Sequence, residues 1–382
     1  MKNNTKLCVY AICKNESEFI DRWVDSLKDE ADCVVVLDTG STDDSVEKLK
    51  RYEPFVKVKQ FDYFKELGYF RFDKARNDSL KLVPFDTDIC VILDLDHVPR
   101  KGWAKIIKDK FAEGYSEVQG YIIDHHPETH KELNKWMSRN VHPNSPNWFW
   151  SRIIHEGIDY YNKNSDSIDS NPKTIFCEDF IIDHFPTEKK DRSLYKTLLE
   201  YACREYPKDP YYGIYLGIEL SRRYSKQDSY KAFKRCLDEC DFTNNKDIHY
   251  QCYINLANTT NDYNEALEAL NKADDLDKNK TRRIYKLYAE IYEKLDEKDK
   301  AIESLEYALQ NVTNYSGDWR DDASLFNGEI EDKLSLFYYY HRNDIPKSLE
   351  YAEKALSYNP SNERLINNVK LIRNKLEERG IN

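Results

Sequence analysis

Four short apolar runs, each leading through a polar turn into a helical pattern, constrain this chain more than any other feature. Leu7–Cys13, Cys33–Leu37, Phe55–Phe61 and Ile89–Leu93 read as strands. Between them, Ser17–Lys28, Asp44–Tyr52 and Asp73–Leu82 carry helical periodicity. The turn Asp38-Thr39-Gly40-Ser41-Thr42-Asp43 supplies capping residues for the second of these helices. Strands that alternate with helices predict a largely parallel sheet covered on both faces. In such sheets ligands bind at the carboxyl ends of the strands. Asp38, Asp94 and Asp96 all fall at such ends.

From Tyr201 onward the strand signals stop, and paired amphipathic helices take over. Small or apolar residues recur at matching offsets in four of them: Ala232/Cys236, Ala266/Leu270/Ala273, Ala301/Leu305/Ala308 and Ser348/Ala352/Ala355. The first positions stand 34, 35 and then 47 residues apart. A period near 34 with small residues at helix crossings resembles tetratricopeptide repeats, with Pro360 at the customary terminator. The longer last spacing predicts an insertion around Asn314–Gly328. The expectation is therefore an α/β domain over residues 1–200 and an all-α, tetratricopeptide-like domain over 201–382, consistent with a length of 382 residues.

A formal net charge of −11 argues against a nucleic-acid partner, because displacing counterions needs a basic face. An acidic chain still accepts an anionic nucleotide where a metal ion and a few local cations invert the sign. Nine cysteines without any Cys-Xaa-Xaa-Cys pair point to a reducing compartment rather than to a zinc ribbon. No apolar stretch is long enough for a membrane span. Glycans at the Asn15 and Asn77 triplets would block the expected pocket, which favours a cytoplasmic location.

Asp94-Leu95-Asp96 at the end of an apolar strand is the sharpest chemical feature. Two carboxylates one residue apart can hold a hard divalent cation against a diphosphate. Taken in order, Tyr10-Ala11-Ile12-Cys13-Lys14-Asn15-Glu16, Val36–Asp43, Ala75-Arg76-Asn77 and Ile92–Asp96 resemble family 2 glycosyltransferases of the GT-A fold. The similarity runs over about residues 5–185. It is strongest to the branch containing lipopolysaccharide-core glucosyltransferases and bacteriocin S-glycosyltransferases, the latter also bearing tetratricopeptide-like C-terminal regions.

That resemblance implies an inverting, metal-dependent transfer of a hexosyl group from a nucleotide-sugar, with UDP as the expected nucleotide. It implies nucleotide-sugar contacts from Ala11, Glu16, Asp38, Arg76, Asp94 and Leu95. It implies Mn2+ or Mg2+ on Asp96, with His184 as a late ligand. Asp38 could instead be a turn-forming residue, Glu16 a helix N-terminal carboxylate and Arg76 a surface ion-pair partner. The family often has an acidic residue after its Asp-Xaa-Asp, whereas here His97 follows. An adjacent residue often points away, so His97 is expected to support the ligands rather than join them.

Ser151-Arg152-Ile153-Ile154-His155-Glu156-Gly157 resembles the acceptor-side segment of the same branch. Glu156 is the candidate base and Asp124 its competitor. Ion pairing to an Arg such as Arg152 is the other role open to Glu156. His155 and Trp150 are candidates for contact with the acceptor or the sugar, although an aromatic run such as Trp148-Phe149-Trp150 is more often simply core. His125, His126, His130 and His142 lack the spacing of a zinc site. A protein, peptide or glycan acceptor and a homodimer through the helical repeats are the expected partners. An inactive interaction scaffold and a metal-dependent nucleotidyltransferase remain as alternatives.

Overall fold

Runs rich in valine and isoleucine and buried on both faces form the centre of a sheet. β1 (Leu7–Cys13) lies between β2 (Cys33–Asp38) and β4 (Ile89–Ile92), and β3 (Val56–Gln60) follows β2, all parallel. β5 (His97–Pro99), β6 (Glu117–His125) and β7 (Glu132–Pro143) join them. Three further strands are β8 (Trp148–Ser151), β9 (Gly157–Asn162) and β10 (Ser167–Asp169), and β11 is Thr174–His184. The main sheet has the order β3-β2-β1-β4-β7-β6-β11-β5, and β8 to β10 form a small second sheet. Pairs β4·β7, β6·β7 and β11·β5 are antiparallel and the other pairs of the main sheet parallel, a mostly parallel Rossmann-like arrangement.

This computed structural model describes residues 5–162, 167–169, 172–187, 193–276, 280–314 and 323–380. The chain divides into two compact units, Met1–Leu198 and Leu199–Asn382. In the first, side chains of β1 alternate between two cores, as a strand period of two requires. Leu7, Val9 and Ala11 face α1 (Ile20–Leu27) and α5 (Trp103–Ala112), which contribute Trp23, Val24, Trp103 and Ile107. Cys8 and Tyr10 face the other way, against Trp148, Trp150 and Ile158 of the small sheet. Short helices α2 (Ser45–Lys50), α3 (Tyr63–Leu67) and α4 (Phe72–Leu80) complete the unit.

One glycine sets the register on which the site depends. A Cβ on Gly120 of β6 would lie 2.1 Å from the Phe180 carbonyl oxygen of β11. The β6·β11 pairing shifts register between Phe176 and Ile181, then runs regularly to His184 opposite Asp124.

The second unit is helical. α6 (Ser193–Glu205) crosses the division between the units. The helices α7 (Pro210–Arg223), α8 (Lys226–Glu239), α9 (Lys246–Thr259) and α10 (Tyr263–Leu276) follow. After them come α11 (Arg282–Lys294), α12 (Lys298–Asn311), α13 (Glu329–Phe337), α14 (Ile345–Tyr358) and α15 (Glu363–Glu378). Successive helices pair as α7·α8, α9·α10, α11·α12 and α13·α14. The small residues singled out in the sequence lie on the second helix of each pair. Ala266, Ala273, Ala301, Ala308, Ser348 and Ala355 are buried there, letting neighbouring helices approach closely. The insertion expected at Asn314–Gly328 falls largely outside the described residues.

Candidate active site

β1, β2 and β4 are adjacent and parallel, so their carboxyl ends open on one edge. Cys13 pairs with Asp38, and Tyr10 with Ile92 two residues before Asp94. Asp38 and Asp94 therefore flank the end of β1, about 10 Å apart by two strand spacings. Asp38 is fully buried and turned into its own loop. Its Oδ1 accepts from Gly40 N at 3.2 Å and Ser41 N at 3.1 Å, and Oδ2 accepts from the Ser41 hydroxyl. That is an Asx turn, which shapes the loop after β2. Glu16 is half-buried, and its backbone N–H donates to Ser45 Oγ at 2.9 Å. The methyl of Ala11 and the side chain of Leu95 are sealed in the core, so these positions can present only backbone to a ligand.

Arg76, on α4, joins two segments far apart in sequence. Nη1 and Nη2 donate to the two oxygens of Asp94 at 2.7 and 3.1 Å, a bidentate pair, while Nε donates to Glu156 Oε1 at 2.7 Å. Burial alone would raise the Asp94 pKa, but the charge and hydrogen bonds of Arg76 outweigh it and bring the carboxyl down to about 2. The partner of Glu156 is thus Arg76 rather than Arg152. Trp150 lies under this guanidinium, whose carbon stands 5.0 Å from the ring centroid. Its indole N–H donates to Tyr10 O–H at 2.9 Å, and its backbone is pinned by Asn77 through two hydrogen bonds. Trp150 is buried core, not an open platform for a sugar. His155, at a φ of 53°, sets its ring edge-on to Tyr195 at 5.8 Å.

The second cluster is built by strand pairing. His184 ends β11 and is paired with His97 of β5 on one side and Asp124 of β6 on the other. Residues in register share a face of the sheet, so all three side chains meet. His184 Nδ1 lies 3.0 Å from Asp124 Oδ1, and its Nε2 lies 3.3 Å from Asp96 Oδ2. A β-turn closed by His97 N–H on Asp94 O at 2.9 Å separates Asp96 from the strand. This turn is why adjacent Asp96 and His97 converge instead of diverging, contrary to the expectation from the sequence. Ligand atoms of Asp96, His97 and His184 all lie within 4.8 Å of one another. The Nδ1 of His97 is buried and has no hydrogen-bond partner among the described residues. Burial pushes the His97 imidazole below its ordinary 6.5, favouring the neutral form that ligates metals. A buried imidazole with an orphaned nitrogen, grouped with a carboxylate and a second imidazole, fits a divalent cation.

Among the remaining histidines, His142 is stacked on Trp148 and bonded to Tyr10, and His125 is tied to Asp183. Trp136, on the exposed part of β7, was not singled out in the sequence. It is 42% exposed and sets its edge against His184 at 6.3 Å. Only pairing across the sheet reveals it.

Residues 8–185 match the model described as glycosyl transferase family 2. The N-terminal unit is a family 2 glycosyltransferase domain. None of the curated proteins matches the sequence. Solved structures similar to parts of the chain include the glucosyl-3-phosphoglycerate synthase of Mycobacterium tuberculosis, in complex with Mn2+, UDP and glucosyl-3-phosphoglycerate. It is 23% identical with a TM-score of 0.27, over 32% of this chain and 45% of that one. MamA is 18% identical (TM-score 0.35; 44% and 89% of the two chains), and TTC0263, a TPR protein of Thermus thermophilus, is 21% identical (0.31; 46% and 88%). The unit that follows the glycosyltransferase domain is built of helices packed in successive pairs. No helix among the described residues is long and apolar enough to cross a membrane.

Proposed function

We propose that the glycosyltransferase domain transfers a hexosyl group, with inversion, from a UDP-sugar to an acceptor in a reaction that depends on a divalent cation, Mn2+ or Mg2+. The observation that carries this reading is the pair of clusters at one sheet edge: Arg76 on Asp94 and Glu156, and Asp96 with His184. Asp94, Asp96, Asp124 and Glu156 outnumber the guanidinium groups near them, Arg76 on Asp94 and Glu156 and Arg22 toward Asp96. A diphosphate approaching that many carboxylates needs a cation to offset their repulsion. Bound at Asp96 and His184, a divalent ion would neutralise charge on the departing nucleoside diphosphate.

In this reading the residues divide the work as follows. Glu16 and the backbone beside Ala11 border the nucleoside. Asp38 meets it through the loop that its carboxylate shapes. Asp94 orients Arg76 toward the phosphates, and Leu95 anchors the turn from the core. Asp124 holds the Nδ1–H of His184, turning Nε2 toward Asp96. With Asp124 so engaged, Glu156 is the stronger candidate for the base. Arg76 takes its Oε1 and leaves Oε2 to accept the acceptor proton. His155 stands next to it on the acceptor side. Trp136, rather than buried Trp150, offers an aromatic face to a sugar ring.

The helical repeats, over 201–382 beside a transferase domain over 1–200, are proposed to present a protein or peptide acceptor or to mediate a homodimer. A cytoplasmic location fits the nine free cysteines. Incubation with UDP-sugars with and without Mn2+ tests the reading. Release of UDP, abolished by EDTA and by Asp96→Asn, is expected. Release of sugar 1-phosphate would point to nucleotidyl transfer, and release of neither to an interaction scaffold.

A further inference from the structure

We propose that His97 is a third protein donor to the cation held by Asp96 and His184, and that its imidazole biases the site toward Mn2+, Fe2+ or Co2+ over Mg2+. The inference rests on the reading of this cluster as the cation site of the transferase, and adds to it a ligand and a metal preference.

Three observations carry it. The first is register: His97 is directly opposite His184 across an antiparallel pair, so the two rings must share one face of the sheet. They meet edge to face with centroids 5.1 Å apart. The second is the unsatisfied atom. A buried imidazole nitrogen without a hydrogen bond costs about 1–3 kcal/mol, and the structure offers it no protein partner among the described residues. A cation in contact with Nδ1 would remove that penalty. The third is spacing. Donors at right angles around an ion with bonds of about 2.1 Å stand about 3 Å apart. Asp96 Oδ2 and His184 Nε2 are at 3.3 Å, and a span of 4.8 Å includes the His97 donor.

Donor chemistry then sets the preference. Mg2+ takes oxygen ligands and gives up water reluctantly, whereas imidazole suits later first-row ions. An acidic residue in place of His97 would make the set richer in oxygen. With His97 it holds two nitrogens and one carboxylate. Asp124 reinforces the bias, since a carboxylate on the far nitrogen of a ligating imidazole makes it a better donor.

The test uses the full chain, Mn2+ and Mg2+ as probes, and UDP present throughout. Pulsed EPR of the Mn2+ complex is expected to show couplings to two imidazole nitrogens in the unsubstituted protein and one in His97→Ala. Calorimetry is expected to show a 10- to 100-fold loss of Mn2+ affinity in His97→Ala, with Mg2+ affinity little changed. His97→Asp is expected to gain Mg2+ affinity. A single nitrogen coupling in the unsubstituted protein would overturn the role of His97 without any variant, leaving the cation site at Asp96 and His184 intact. Equal Mn2+ affinity in His97→Ala would do the same. No Mn2+ binding at all by the unsubstituted protein would overturn the underlying cation site as well.

Discussion

A buried histidine shows how single residues hold the floor of the transferase domain. His142 is wedged between Trp148 and Tyr10, with its Nε2 2.8 Å from the tyrosine hydroxyl. Burial brings its pKa down from the ordinary 6.5 to about 4. The unfolded chain therefore takes up a proton at pH values where the folded one does not. Stability contributed by the neutral ring is complete above pH 6.5 and is lost as the pH falls toward about 4, by about 3 kcal/mol in all. His142→Gln should melt with a flatter pH dependence than the unsubstituted protein between those limits. Parallel slopes would show that His142 is not the group responsible. At this scale the sequence spoke unevenly. Asp94 and Asp96 were singled out because an Asp-Xaa-Asp, weak by itself, gains weight at the end of an apolar strand. His97 was not, because its direction depends on a turn whose closing hydrogen bond no local pattern announces. Trp150 took the commoner of the two roles open to it: on the small second sheet, its ring is buried against Tyr10 of the main one.

At the level of elements, the apolar runs became strands within a residue or two of their expected ends, since burial on both faces leaves little choice. The helices shortened by a turn or less, as frayed ends do. What stayed hidden was the far side of the sheet, where β7 enters antiparallel and β6 and β11 bring Asp124 to His184. Long-range pairing of this kind leaves only weak marks in sequence. Gly120 is one such mark. With the Phe180 carbonyl 2.1 Å from where a Cβ would sit, Gly120→Ala must push β11 away from β6. The cost should be about 1–3 kcal/mol or more, from overpacking against backbone that cannot rotate aside. Because the two strands carry Asp124 and His184, Mn2+ affinity should fall in the same variant. A variant that melts normally and binds Mn2+ normally would show that the strands tolerate the separation.

The main hydrophobic cores of the two units are built from different residues: one around Trp23, Trp103 and the sheet, the other around Phe233, Tyr250, Leu270 and Leu305 of the helical unit. Units with separate cores can unfold as separate cooperative steps. Phe233 is buried against Gly217, whose absent Cβ would lie 2.4 Å from the ring. Phe233→Ala should remove about 3–5 kcal/mol from the helical unit. Calorimetry should then show one transition shifted down while UDP and Mn2+ binding persist. Loss of nucleotide binding in that variant would mean that the units do not act independently.

The row His97–His184–Asp124 is spaced by the hydrogen-bond ladder of three neighbouring strands. Amide protons beneath it are therefore already locked before any ion arrives, and little conformational freedom is left to surrender when one does. Hydrogen–deuterium exchange at the end of β11 should be slow in the free protein and change little on loading, as in a lock cut before the key.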